Sequence, residues 1–251
     1  MAASTHCPLL AWSCKLISMR TSVRNLASFV AAAALALTAG RLAQAQSTAS
    51  QTAGNGTYVS SDPLAHVRYD NRYDVSVAMA YDHMKAGPNL LQGSNLGGLD
   101  VSGSYWLTKR WGIEGSGRMY VGTSGAAPNV YNIRGPFVSE VFFTAGPEWL
   151  GPHNKHGALV AHVLAGGVYG KFQQDLLGYS PSVVGFYNDQ ISPALIMGGH
   201  FDLNRSEHWV FRVTPDAVLT DYGTNYGAKI KQIDINAAIS VGVEYKFRKK
   251  R

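Results

Sequence analysis

Asp234-Ile235-Asn236-Ala237-Ala238-Ile239-Ser240-Val241-Gly242-Val243-Glu244-Tyr245-Lys246-Phe247 is the stretch that decides the fold. Every odd position from Ile235 to Phe247 is apolar, and every even position from Asp234 to Lys246 is polar or small. Successive side chains on a strand point to opposite faces, so this is a strand with one oily face and one wet or crowded face. A soluble sheet produces such alternation too. The length tilts the reading toward a membrane, because a tilted strand of ~9 to 11 residues crosses a bilayer.

The same period recurs upstream. Strands are predicted over 73–83, 99–107, 111–122, 137–150, 158–170, 192–203 and 209–219, with the eighth over 234–247. On the first, Tyr73, Val75, Val77, Met79 and Tyr81 oppose Asp74, Ser76, Ala78, Ala80 and Asp82. In the sixth, Ile196 breaks the pattern. In the seventh, Pro215 lacks a backbone donor, and a closed sheet has no free edge to tolerate that, so a bulge or local break is expected there. The connections alternate long and short, the long ones being 86–98, 123–135, 171–190 and 220–231. This rhythm predicts an all-β fold: an eight-stranded antiparallel up-and-down transmembrane barrel with both termini on the short-turn side.

The first 45 residues stand apart. Arg20 and Arg24 precede the apolar run 26–39, and Ala43-Gln44-Ala45 offers the small residues of a cleavage site, so 1–45 reads as a signal peptide cut before Gln46. Residues 1–18 add nothing to that signal, and Met19 is an alternative start. Residues 46–72 read as a flexible extension, 73–247 as the barrel and 248–251 as a basic tail. Both cysteines, Cys7 and Cys14, fall in the leader, so no disulfide or cysteine-held metal is expected beyond it. The net charge of +6 is equally superficial. Leader and tail carry four basic residues each and no acids, leaving the remainder slightly acidic and giving no reason to expect nucleic-acid binding.

Tryptophan placement supports the orientation. Trp106, Trp111, Trp149 and Trp209 adjoin the short turns, and Tyr245 and Phe247 end the last strand at the same level, as an aromatic girdle at one interface requires. A fainter girdle, Tyr81, Tyr120, Phe137, Tyr169 and Tyr222, lies near the long loops. The last strand also carries a polar residue, a glycine two positions on, and then aromatic residues at alternate positions: Ser240, Gly242, Tyr245 and Phe247. With these residues the chain, over 73–247, resembles the small OmpA-like outer-membrane β-barrels. The resemblance implies outer-membrane lipid and the barrel assembly machinery as partners, with those four residues as the assembly signal, and export through the secretory pathway. Only four residues follow Phe247, so the cell-wall tether of that family is not expected.

An eight-stranded barrel is too narrow for a broad channel, and side chains normally fill it. The charges predicted to point inward are Asp74, Asp82, Asp100, Glu114, Arg118, Glu140, Glu148, Arg212, Asp216, Glu244 and Lys246. A buried network of ion pairs that plugs the barrel is the plainer expectation, since charges withdrawn from water need partners; a narrow gated ion path is the sharper one. In a paired network Arg118, Arg212 and Lys246 each contact a carboxylate. The histidines, His162 and His200 included, are scattered along the chain, so no catalytic, cofactor or metal site is expected. The function that follows is structural, surface-binding through the long loops, or a narrow pore. A hydrolase embedded in the barrel and a soluble lipocalin-like barrel are the alternatives, the latter requiring the inverse, apolar-inward assignment. Replacing Phe247 with a polar residue should reduce membrane insertion, scored by heat-modifiable electrophoretic migration, more than the same change at Tyr187, a loop residue expected to be exposed.

Overall fold

The computed structural model describes residues 62–87, 90, 93–126, 130–222 and 233–247. The signal peptide, its cleavage point, the start of the extension, most of the last long loop and the basic tail lie outside the described residues. Eight strands form in chain order: β1 Tyr73–Met84, β2 Ser94–Trp106, β3 Trp111–Thr123, β4 Phe137–His153, β5 Gly157–Lys171, β6 Gln190–Asn204, β7 Trp209–Asp221 and β8 Ile233–Phe247. One short helix, α1 Pro181–Val184, sits between β5 and β6. No described helix is long and apolar enough to cross a membrane.

Each strand pairs antiparallel with its chain neighbours, and β8 returns to β1 to close the barrel. The closing register runs from Tyr73 opposite Phe247, through Val77 opposite Val243, to His83 opposite Ala237. Closure leaves no strand edge unpaired, as a sheet in lipid requires.

The two faces follow the alternation read from the sequence. On β1 the side chains alternate exposed and buried without exception. The exposed set is apolar: Met79 is 76% exposed and Phe143 71%, with Val77, Leu99, Val101, Ile113, Val163, Phe201 and Val243 also outside. The buried set carries the charges. Water-soluble proteins place these residue types the other way round, so the lipocalin-like alternative fails on orientation and the fold is a transmembrane barrel.

Some local expectations change. β2 begins at Ser94 rather than Leu99, because Gly97 and Gly98 belong to the sheet and not to the loop. A Cβ on Gly98 would lie 1.8 Å from the Met119 carbonyl oxygen, so glycine here permits the strands to approach. Gly242 serves β8 in the same way, since its Cβ would fall 2.1 Å from the Val77 carbonyl oxygen and 2.5 Å from the Ala78 Cβ. At Pro215 the β6–β7 pairing lapses between Gly198–Asp216 and Phe201–Val213 without changing register, while Pro215 still pairs with Ile239 on β8. The missing donor thus opens a local break, and the change of register falls instead between Leu150 and His153 at the end of β4.

Residues 62–72, read as part of a flexible extension, make specific contacts. The Tyr69 hydroxyl donates to the Asn154 carbonyl at 3.1 Å and accepts from Asn204 Nδ2 at 2.7 Å. Tyr187 is also not the exposed loop residue expected: it is buried, so exposed Tyr179 is the proper control for the Phe247 variant. The outward face supplies its own test. Met79→Arg, at the middle of β1, should cost about 2–4 kcal/mol of unfolding free energy in lipid vesicles, and a cost near zero in urea titrations would place Met79 away from lipid.

Candidate functional site

The lumen holds the chemistry of this protein. All eleven charged residues predicted to point inward are buried there. Asp202 and Asp234 join them, giving ten buried carboxylates against Arg118, Arg212 and Lys246 among the described residues. The interior is layered by height along the strands.

At the short-turn end, Trp106 departs from the expected girdle. Its parity on β2 is that of Ser102 and Ser104, so the ring turns inward, and Nε1 donates to Asp74 Oδ2 at 2.7 Å. It packs with Tyr69 against Leu150, Ala158 and Val160, while Trp111, Trp149, Trp209 and Phe247 stay on the outside. Tyr245 packs edge-on against both Trp209 and Phe247 on that outer rim. Burial pushes the Tyr69 hydroxyl up to about 12, so it remains a neutral donor here. Lys246 meets no carboxylate in an ion pair among the described residues: Nζ lies 3.4 Å from Asn204 Oδ1 and 4.5 Å from the centre of the Tyr69 ring. Beside this layer is a recess of only about 10 Å³, lined in part by Tyr69, Asp74, Trp106 and Lys246. That is room for about one water.

The middle layer is an ion-pair network. Arg118 reaches Asp100 at 3.3 Å and Asp216 at 2.6 Å. Arg212 holds Asp202 through Nε at 2.9 Å and Nη2 at 3.2 Å, and Nη2 also lies 2.9 Å from Glu244. Serine hydroxyls fill the gaps: Ser116 and Ser240 donate to Asp100 at 3.1 and 2.8 Å, and Ser104 donates to Glu148 at 3.1 Å. His162 bridges Glu114 at 2.7 Å and Asp216 at 2.9 Å, and His200 Nδ1 contacts Asp202 at 2.9 Å. Carboxylates, not serine hydroxyls, hold both imidazoles.

The long-loop end is apolar inside, which the charge pattern did not indicate. Leu96, Val138, Phe142, Leu164, Val168, Ile196 and Val218 line it. Ile196 is therefore no defect in β6 but an inward residue of this layer. Phe172, Phe186, Tyr187 and Tyr222, from the long loops, close over it. The rings of Phe172 and Tyr222 meet edge to face at 5.1 Å, and those of Tyr187 and Tyr222 lie 5.3 Å apart. Tyr120 and Tyr222, read as an outer girdle, both belong to this interior, whereas Tyr81 and Tyr169 remain exposed. Tyr222 donates to Glu140 and Tyr187 to Asp234. Burial raises both phenols, keeping them protonated as donors.

The loop 171–190, which supplies three of these rings, is itself tied down. Asp189 Oδ1 accepts from the Phe172 and Gln173 amides at 2.7 and 2.9 Å, and the Tyr187 amide bonds the Ala86 carbonyl at 3.1 Å. Gly185, at φ 85°, ends α1 and turns Phe186 and Tyr187 back toward the lumen.

No protein-family profile matches this sequence, and no curated protein does. Solved structures do. Ail, the attachment invasion locus protein of Yersinia pestis, is 19% identical over 70% of this chain and 99% of its own, with a TM-score of 0.46. Neisserial surface protein A is 12% identical over 70% and 97%, at 0.48, and the outer membrane protein OprG of Pseudomonas aeruginosa is 13% identical over 71% and 98%, at 0.47. The fold of this chain rests on its own strand pairing, a closed barrel of eight antiparallel strands.

The middle layer predicts a large penalty for removing one partner. Arg118→Met takes the paired cation from both Asp100 and Asp216 and should cost about 3–5 kcal/mol, read from urea unfolding of the refolded barrel. Adding Asp216→Asn to Arg118→Met should recover part of that loss; a strictly additive double variant would show that the pair is not coupled.

Proposed function

We propose that this protein is exported through the secretory pathway, inserted in the outer membrane by the barrel assembly machinery, and acts there as a closed scaffold that presents its long loops to surface partners. The observation that carries this reading is the filled lumen. Ion pairs occupy its middle, and Phe172, Phe186, Tyr187 and Tyr222 cover its outer mouth. A solute path would have to break charge pairs already withdrawn from water, which is costly. The narrow-pore and hydrolase readings both need open space that these side chains fill.

The loops favour a surface role. Val130, Leu177, Tyr179 and Val183 are exposed on the long-loop side, and the Tyr131 ring lies tilted against that of Tyr179 with ring centres 4.6 Å apart. Exposed apolar groups gathered on loop segments above the barrel are the kind of surface that meets a partner.

Planar-bilayer recording tests the closed lumen. The refolded wild-type protein should give no steady ohmic current. The double variant Phe186→Ala/Tyr187→Ala, which removes two of the covering rings, should raise current noise without opening a stable pore, because the ion-paired layer remains. A steady wild-type conductance would contradict the scaffold reading and favour transport.

A further inference from the structure

Three strands that are far apart in sequence bring Glu114 of β3, His162 of β5 and His200 of β6 into one fully buried cluster. One ligand-capable atom of each lies within 4.8 Å of the other two. The imidazole ring centres are 6.0 Å apart.

The hydrogen bonding around the two rings has a shared form. Each histidine commits one nitrogen to an outer carboxylate: His162 Nε2 to Asp216 Oδ1, and His200 Nδ1 to Asp202 Oδ1, both at 2.9 Å. Arginines hold those carboxylates in turn, Arg118 on Asp216 and Arg212 on Asp202. A carboxylate on one ring nitrogen fixes the N–H there and raises the basicity of the other nitrogen, the arrangement that orients histidines bound to metal ions.

The remaining nitrogens are the informative ones. His162 Nδ1 lies 2.7 Å from Glu114 Oε2. His200 is fully buried, and its Nε2 has no hydrogen-bond partner among the described residues. Glu148 Oε2 lies 4.0 Å from that Nε2, too far for a hydrogen bond. An orphaned polar nitrogen at a fully buried position is costly and calls for a ligand. The surroundings suit a cation, since carboxylates outnumber lysine and arginine inside the barrel by ten to three among the described residues.

We propose that Glu114, His162 and His200 form a binding site for one divalent transition-metal ion of the zinc or cobalt class, with Glu148 adjacent as a further oxygen ligand. Two imidazoles and carboxylates suit these ions, whereas magnesium and calcium prefer oxygen ligands alone. On binding, His162 Nδ1 gives up its shared proton to solvent and, with Glu114, turns to the ion; the Nε2–H bond to Asp216 is kept. The ion replaces one hydrogen bond and one orphaned nitrogen with a set of metal–ligand bonds, and its two positive charges offset the local acid excess. It pins β3, β5 and β6 together across the lumen.

The site is enclosed, so the test loads it during folding. The full chain, free of any affinity tag, is refolded in detergent with Zn²⁺ or Co²⁺, treated briefly with chelator, desalted and assayed for metal per heat-modifiable, folded chain. One ion per folded chain is expected, with the visible absorption of low-coordinate Co²⁺ in the cobalt form. His200→Gln should lose the ion, and the control His156→Gln, on an exposed turn, should keep it. Asp202→Asn should weaken metal affinity about 10- to 100-fold. If His200→Gln does not fold, Glu114→Gln takes its place with the same expectation. Wild-type barrel that folds without retaining metal, or retains it equally in the ligand variants, overturns the proposal and assigns the two histidines to the ion-pair network as imidazolium cations.

Discussion

The rest of the structure depends on the pairing of β8 with β1. In lipid every backbone N–H and C=O must find a partner within the protein, and an open sheet would leave two rows unsatisfied. The eleven-residue register between Tyr73–His83 and Ala237–Phe247 removes both edges at once. Once the sheet closes, the two faces of each strand lose their equivalence. Odd positions of β8 must meet lipid, and even positions must fit a narrow interior. Small residues such as Gly242, packed against Ala78 on the inward face, are needed for that curvature.

Closure also creates the electrostatic problem that the lumen answers. Inward positions are crowded and cut off from water, so each charge must be paired, hydrogen-bonded or neutral. Arg118 and Arg212 each bridge two carboxylates, and this is why the middle layer relies on arginine, whose planar fork holds two acceptors at once. Lys246, a point charge near the short turns, can instead rest on an aromatic ring and an amide oxygen. Toward the loops the chain abandons charge pairing for apolar packing, and two of the acids there, Glu140 and Asp234, are met by tyrosine hydroxyls.

Strand number, direction and facing were legible in the sequence because they depend on a period of two, which any one strand displays by itself. What it hid has three separate causes. Gly97-Gly98 resembles a loop by composition, yet it is strand where neighbouring backbones approach. Aromatic residues suit the outer girdle and the interior equally, so only parity distinguishes them: Trp106, Tyr120 and Tyr222 lie inward, Trp111 and Tyr169 outward. Parity could have revealed the apolar cap, since Leu96, Phe142, Leu164, Ile196 and Val218 occupy inward positions toward the long-loop ends of five strands. The meeting of Glu114, His162 and His200 had no local signal, because it depends on the register of strands that are not all neighbours.

The central claim is an apolar outer face and a polar lumen, strand by strand. Single-cysteine nitroxide labels placed in turn at positions 74–82 of β1, in bilayers, measure it directly through collision with dissolved oxygen. The account predicts oxygen accessibility that alternates with a period of two and peaks at 75, 77, 79 and 81. A flat profile, or peaks at the even positions, would contradict it.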